Sequence, residues 1–168
     1  MKENAESLVK QLELTAHPEG GYFRETYRSE GSMKKDSVEP GMNGSRNYST
    51  AIYFLLDEKR PSKFHRIKSD EVWHFYLGSP LEIVEIDENN KIIKTILGPS
   101  LNEGQTLQYV VKKNRWFGSR LLQEGGSDFG LVGCTVAPGF AFEDFEMATN
   151  GQLNKIPGIE AYKDLVPQ

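Results

Sequence analysis

Residues 64–78 read Phe64-His65-Arg66-Ile67-Lys68-Ser69-Asp70-Glu71-Val72-Trp73-His74-Phe75-Tyr76-Leu77-Gly78. This stretch holds the densest cluster of titratable side chains, and the polar turn Lys68-Ser69-Asp70 splits it into two short strands. Side chains alternate between the faces of a strand. His65 and Ile67 then share one face. Glu71, Trp73, Phe75 and Leu77 share a face, and Val72, His74 and Tyr76 take the other. With His65 and Glu71 both directed into a barrel, an imidazole and a carboxyl meet in an apolar cavity. Burial there raises the carboxyl pKa and lowers that of the imidazole, so the pair can move protons near neutral pH. His74 falls opposite Glu71 and is a poor candidate for the same site.

Working outward, the pattern repeats. Residues 22–27, 48–56, 81–86, 92–97, 107–111, 116–122, 129–136 and 140–145 are short β-branched or aromatic runs, giving about nine or ten strands with turn residues between them. No long helix separates them, which excludes a βαβ fold and favours an antiparallel sandwich or barrel. The one helix of any length is expected over residues 5–14, capped by Asn4 and ended by Pro18 and the Gly20-Gly21 pair. Residues 29–45 read as a loop long enough to suggest mobility or function. A further helical turn is expected near residues 160–165.

The chain has 168 residues, consistent with one domain. Its apolar fraction of 38% excludes a disordered chain. A net charge of −4 leaves no basic field for nucleic acid, and the run Lys112-Lys113-Asn114-Arg115 is a turn without the wider basic surface such binding needs. No stretch is long and apolar enough to span a membrane. The single cysteine, Cys134, makes no internal disulfide and reads as buried and inert. Without the apolar core of a signal peptide at its start, the chain is expected to be cytoplasmic.

Residues 64–78 resemble the first motif of the cupin superfamily: His, any residue, His, three or four residues, Glu, six residues, Gly. His65, Glu71 and Gly78 take the first His, the Glu and the Gly, and Ile67 stands at the second His. The second cupin motif fits less well. Gly104 matches its start, but Lys112, Asn114 and Phe117 stand where Pro, Gly and His are usual. A narrower similarity, to the single-domain cupin family described as a domain of unknown function, runs in order from about residue 14 to 150. It is carried by Gly20-Gly21-Tyr22-Phe23-Arg24-Glu25-Thr26-Tyr27, Ser49-Thr50-Ala51-Ile52-Tyr53-Phe54-Leu55-Leu56, Phe64-His65-Arg66, Ser69-Asp70-Glu71-Val72-Trp73-His74-Phe75, Gly133-Cys134-Thr135-Val136-Ala137-Pro138-Gly139-Phe140 and Phe142-Glu143-Asp144-Phe145-Glu146. The resemblance implies an all-β cupin jelly-roll, a double-stranded β-helix barrel with a short N-terminal helix. It implies one domain over residues 1–168 with the barrel core at about 20–147, usually paired as a homodimer. An N-terminal strand at 21–27 could cross to that partner.

Metal-dependent cupins hold their ion with three His and one Glu, and a useful site needs about three protein ligands. With Ile67 and Phe117 at two of the four positions, no metal or other cofactor is expected, and His65, Glu71 and His74 are only weak metal candidates. His17 lies outside the motif and receives no role. The resemblance to sugar-nucleotide epimerases makes His65 the candidate base beside Glu71, with Tyr53, Tyr48 or Tyr109 as the partner acid. Arg24 suits a phosphate or carboxylate, although an Arg-Glu pair on an edge strand is more often a surface ion pair. Trp73, Phe75, Trp116 and Phe117 are expected to line the lumen, where flat aromatic walls suit sugar rings or nucleobases. Of the acids in residues 142–146, solvent is the expected fate. The leading expectation is a binding protein for a small polar or ring-shaped molecule. The alternative is a metal-free sugar-nucleotide epimerase or isomerase, followed by a metal-dependent oxygenase or isomerase.

Overall fold

The computed structural model describes residues 3–123 and 126–168. Among these, the chain starts with α1 (Ala5–Gln11) and continues through β1 (Thr15–Ala16), β2 (Tyr22–Arg28), β3 (Ser32–Met33), β4 (Arg46–Asn47), β5 (Thr50–Asp57) and β6 (Ser62–Arg66). Then come β7 (Asp70–Gly78), β8 (Leu81–Ile86), β9 (Ile92–Leu97), β10 (Gln108–Val111), β11 (Trp116–Leu121), β12 (Phe129–Ala137), β13 (Glu146–Met147) and α2 (Asn150–Leu153). One antiparallel sheet has the order β1-β2-β5-β12-β7-β10, the other β13-β6-β11-β8-β9, and β3-β4 form a small ribbon. From β5 to β8 the chain alternates between the two sheets, the strand exchange of a jelly-roll barrel. β2 pairs with β5 of its own chain.

Three apolar layers hold this barrel. Between the sheets lie Phe54, Leu56, Trp73, Leu81, Ile83, Leu97, Val111, Phe117, Leu121 and Val132. Outside the first sheet, Ala5 and Leu8 of α1 pack with Leu14 onto Leu55, Phe129 and Leu131. Outside the second, Leu153, Ile156, Ile159, Tyr162 and Leu165 of the C-terminal segment cover Phe64, Val84 and Ile86. β8 is therefore buried on both faces at every residue. Its glutamates are answered in place: Glu82 by Arg120 at 2.8 Å, Glu85 by the Tyr109 hydroxyl.

Asn4 caps α1 as expected, accepting the Ser7 N–H at 2.9 Å. The helix ends at Gln11, earlier than residue 14, because Glu13 adopts a φ of 53°. Residues 140–145 are not a strand. Phe142–Asp144 form a 3-10 turn, Phe140 and the half-exposed Phe142 line the cavity at one end of the barrel, and of residues 140–147 only Glu146–Met147 pair with β6. The loop at 29–45 is fastened down. Arg46 at its end is buried and holds Asp144 through two nitrogens (2.6 and 3.0 Å), and Lys68 donates to the Gly41 carbonyl at 2.6 Å. Asp144 is buried, where solvent is the expected fate of the acids in residues 142–146.

Three β-bulges re-aim side chains that strict alternation would misplace. In β2 the register shifts between Glu25 and Tyr27, so Glu25 and Arg28 face inward together. In β6 it shifts opposite Phe117 and Ser119, so Ser62 and His65 both turn inward. In β7 it shifts after Phe75, and Leu77 joins the outer layer under α1, leaving the face it was expected to share with Glu71.

Candidate functional site

The end of the barrel under residues 140–142 encloses a cavity of about 280 Å3. Its walls are Phe23, Ile52, Phe54, Ile67, Val136, Phe140 and Phe142. Its floor carries His17, Glu19, His65, Glu71 and Cys134. The five titratable groups arrive from four places in the chain. His65 comes from β6, Glu71 from β7 and Cys134 from β12. His17 and Glu19 come from the turn joining β1 and β2. That turn is pressed against the barrel wall. Gly20 has a φ of +122°, and a Cβ there would collide with the Pro61 carbonyl. The Glu19 carbonyl accepts the Lys63 N–H at 2.7 Å, which carries the Glu19 side chain inward to the bulge in β6.

The hydrogen bonds on the floor fix where the protons sit. His65 Nδ1 lies 2.7 Å from the Lys63 carbonyl, which only accepts, so Nδ1 is the donor. His65 Nε2 faces Glu19 Oε2 at 3.1 Å, with one proton to share. Burial pushes the His65 pKa down to about 3 and pushes that of Glu19 well up, helped by the nearby charge of Glu71. The shared proton therefore resides on Glu19, which donates to His65 while its Oε1 accepts the Ser62 hydroxyl at 2.9 Å. His17 Nδ1 accepts the Glu19 backbone N–H at 3.3 Å, so the His17 proton is on Nε2. Burial lowers the His17 pKa to about 4, and the ring is neutral at pH 7. Glu71 is raised by burial to about 7, with the Cys134 thiol donating to it. Cys134 is raised well above the usual thiol range by burial and by the two carboxylates, so it stays a thiol.

The structure brings His65 (2% exposed) and Glu71 (8% exposed) into this one cavity. His65 is not free to act as a base, since both ring nitrogens are engaged. Tyr53 lies on the outer face of β5 against Tyr76 and under Arg24, and so cannot be the partner acid. Arg24 is also outside, paired with Glu13 at 3.0 Å. The arginine that lines the cavity is Arg28, and it is already committed to Glu25 (2.7 and 2.9 Å), Asn47 (2.8 Å) and the Phe140 carbonyl (3.1 Å). Tyr48 is 56% exposed beside the loop. Trp73 fills the core between the sheets, and Phe75 packs at its edge near the surface. Tyr109 is tied to Glu85, away from the cavity. Trp116 packs on the outer C-terminal layer. Phe117 sits behind His65, ring centroids 4.1 Å apart, and braces it. His74 is outside, hydrogen-bonded to Thr135 and Gln108.

The metal centre of metal-dependent cupins does not fit these donors. Ile67 and Phe117 are apolar, His65 has no free nitrogen, and among the described residues no three His, Cys, Asp or Glu are placed to hold one ion. His17 and Glu19 are the residues that motif spacing missed. Their one local signal is His17-Pro18-Glu19-Gly20-Gly21, two titratable groups in a turn tight enough to need glycine.

Comparison with known proteins bears on the family and the fold. The family described as "Cupin superfamily (DUF985)" matches residues 6–148. An uncharacterized protein of Saccharomyces cerevisiae, YML079W, is 32% identical over 168 residues, covering 95% of this chain and 83% of that protein. The structure of protein SO0799 from Shewanella oneidensis is similar with a TM-score of 0.85 at 36% identity, covering 99% of each chain. A hypothetical protein from Leishmania major has a TM-score of 0.83 at 32% identity, covering 99% of this chain and all of that one. Oxalate decarboxylase from Bacillus subtilis shares the fold at 13% identity (TM-score 0.54, covering 90% of this chain and 34% of that one). With most of its length inside the family match and the barrel that the motifs implied, the chain belongs to the cupin superfamily, in the family of unknown function DUF985.

Proposed function

We propose that the cavity binds a small, uncharged, ring-shaped polar molecule, such as a monosaccharide derivative or a nucleobase. The observation that carries this reading is an aromatic-walled pocket closed over a fixed polar floor, the usual form of a small-molecule site. At about 280 Å3 it has room for a single ring. Among the described lining residues Arg28 is the only permanent cation, and its partners already neutralise it. A phosphate-bearing sugar nucleotide therefore has no obvious counter-charge inside.

The test is saturation-transfer NMR with a panel of free monosaccharides, deoxysugars and nucleobases. At least one class binds the wild type, and Ile52→Trp, which fills the cavity from β5, removes that binding. No binding across the panel, or equal binding to I52W, contradicts the reading. A second reading, isomerase or epimerase chemistry on the bound molecule, is favoured by the Glu71 carboxyl, which ionises at about 7.

A further inference from the structure

The floor presents two polar groups that the protein does not use up. His17 Nε2–H has no hydrogen-bond partner among the described residues, while Nδ1 of the same ring is locked as an acceptor. The carboxyl of Glu71 has the Cys134 thiol as its neighbour and, among the described residues, no cation beside it. Both line the cavity. The rest of the floor holds them in this state. The chain of donors from Glu19 to His65 to the Lys63 carbonyl leaves neither His65 nitrogen for a ligand. The Glu19 backbone fixes the tautomer of His17.

We infer that Glu71 and His17 are a catalytic pair that enolises a bound neutral α-hydroxy ketone, with Glu71 as the base at carbon and His17 as the hydrogen-bond donor to the carbonyl oxygen. This rests on the binding reading above and names the substrate class of that pocket. In the step, the Glu71 carboxylate takes the proton from the carbon beside the carbonyl. The C–H electron pair becomes the C=C bond, and the carbonyl π pair moves to oxygen, where His17 Nε2–H stabilises it as an oxyanion-hole donor does. Return of the proton to the same carbon gives exchange. Return to the former carbonyl carbon, with the neighbouring hydroxyl proton passing to the first oxygen, gives the isomer. Nothing is oxidised or reduced overall, so no co-reactant is required.

Other chemistries find less here. Acyl transfer needs an activated nucleophile, and the Cys134 thiol is buried beside two carboxyls that hold its proton in place. Phosphoryl transfer needs cationic clamps, and Arg28 is spent on Glu25. A neutral imidazole donor paired with a carboxylate base suits a carbonyl substrate, and a base that ionises near 7 matches the operating pH.

The experiment is 1H NMR in D2O at neutral pH with two probes, dihydroxyacetone and 2-hydroxycyclohexanone, following loss of the α-proton signal. Binding of each probe is measured separately by saturation transfer. The wild type accelerates exchange over buffer. Glu71→Gln and His17→Gln, purified in the same way, each lose about 100-fold of that acceleration or more and still bind the probe, which shows an intact cavity. A wild type that binds without exchange overturns the catalytic inference and leaves the binding reading standing. Exchange unchanged in E71Q also overturns it. Absence of binding by these probes and by the whole sugar and nucleobase panel overturns both.

Discussion

Two buried polar networks lie close together in this barrel and solve the same problem in opposite ways. At the rim, Arg46 is buried and cannot give up its proton. Its charge is met in full by Asp144 at 2.6 and 3.0 Å, by Glu143 at 2.9 Å and by the carbonyls of Asn43 and Ser45. On the floor, the buried groups are imidazoles and carboxyls, which can become neutral by exchanging protons. His17 and His65 lose theirs, and Glu19 keeps one. A charge that cannot titrate must be paired rigidly, and it makes a clasp. Groups that can titrate become neutral instead, and on the floor this leaves Glu71 without a cation to hold it among the described residues.

The clasp is where the largest loss is expected. Asp144→Ala leaves Arg46 buried with only Glu143 opposite. Breaking a buried pair from one side costs about 3–5 kcal/mol, and the low end is expected in urea denaturation because Glu143 remains. A loss below about 1 kcal/mol, the worth of an exposed pair, would place Arg46 in solvent and dissolve the contrast.

The floor should show itself in the pH dependence of stability. Between pH 4.5 and 6.5 the unfolded chain protonates the two imidazoles, and the folded floor protonates the two carboxyls instead. The proton counts match, so these four groups give no slope in that window. Above 6.5 the folded state holds the excess, and stability falls as pH rises through about 7, where Glu71 ionises. Below 4.5 the unfolded carboxyls take up protons and stability falls toward acid. Glu71→Gln removes one folded-state proton. In E71Q stability should then rise with pH across the window by about 1.4 kcal/mol per pH unit. Denaturation at several pH values reads this directly, and an E71Q profile parallel to wild type would contradict it.

The smallest effect is expected from Glu19→Gln. An amide reproduces the protonated carboxyl, since its N–H can donate to His65 and its oxygen can accept from Ser62. E19Q should therefore lose no stability at pH 7, because folding no longer has to protonate residue 19. A loss of about 3 kcal/mol or more would instead indicate a charged Glu19–His65 pair broken from one side.

Much of the architecture is legible in local pattern, because strand alternation and turn residues act over a few residues. That logic carries His65 and Glu71 to one interior. It fails where a bulge inserts a residue. Arg28 reaches the cavity only through the extra residue between Glu25 and Tyr27, which local pattern does not reveal, whereas Arg24 ahead of the bulge stays outside. The segment 140–145 looks like a strand from its aromatic spacing, yet it folds as a 3-10 turn and sets Phe140 and Phe142 against the cavity. His17 and Glu19 stayed hidden for a different reason. Their turn is local, but its destination beside Pro61 and Ser62 is a contact about forty residues away. Side-chain chemistry makes Tyr53 a candidate acid and Trp73 a candidate wall, but packing decides their place: Tyr53 belongs outside and Trp73 belongs to the core.

The most direct measurement is the nitrogen-15 spectrum of the imidazoles at pH 6 to 7, with His17 and His65 assigned by substitution. The account predicts two neutral rings of opposite tautomer, the proton on Nδ1 in His65 and on Nε2 in His17. An imidazolium signal from His65 at pH 7 would contradict it, because the proton would then have left Glu19 and the floor would be an ion pair like the clasp at the rim.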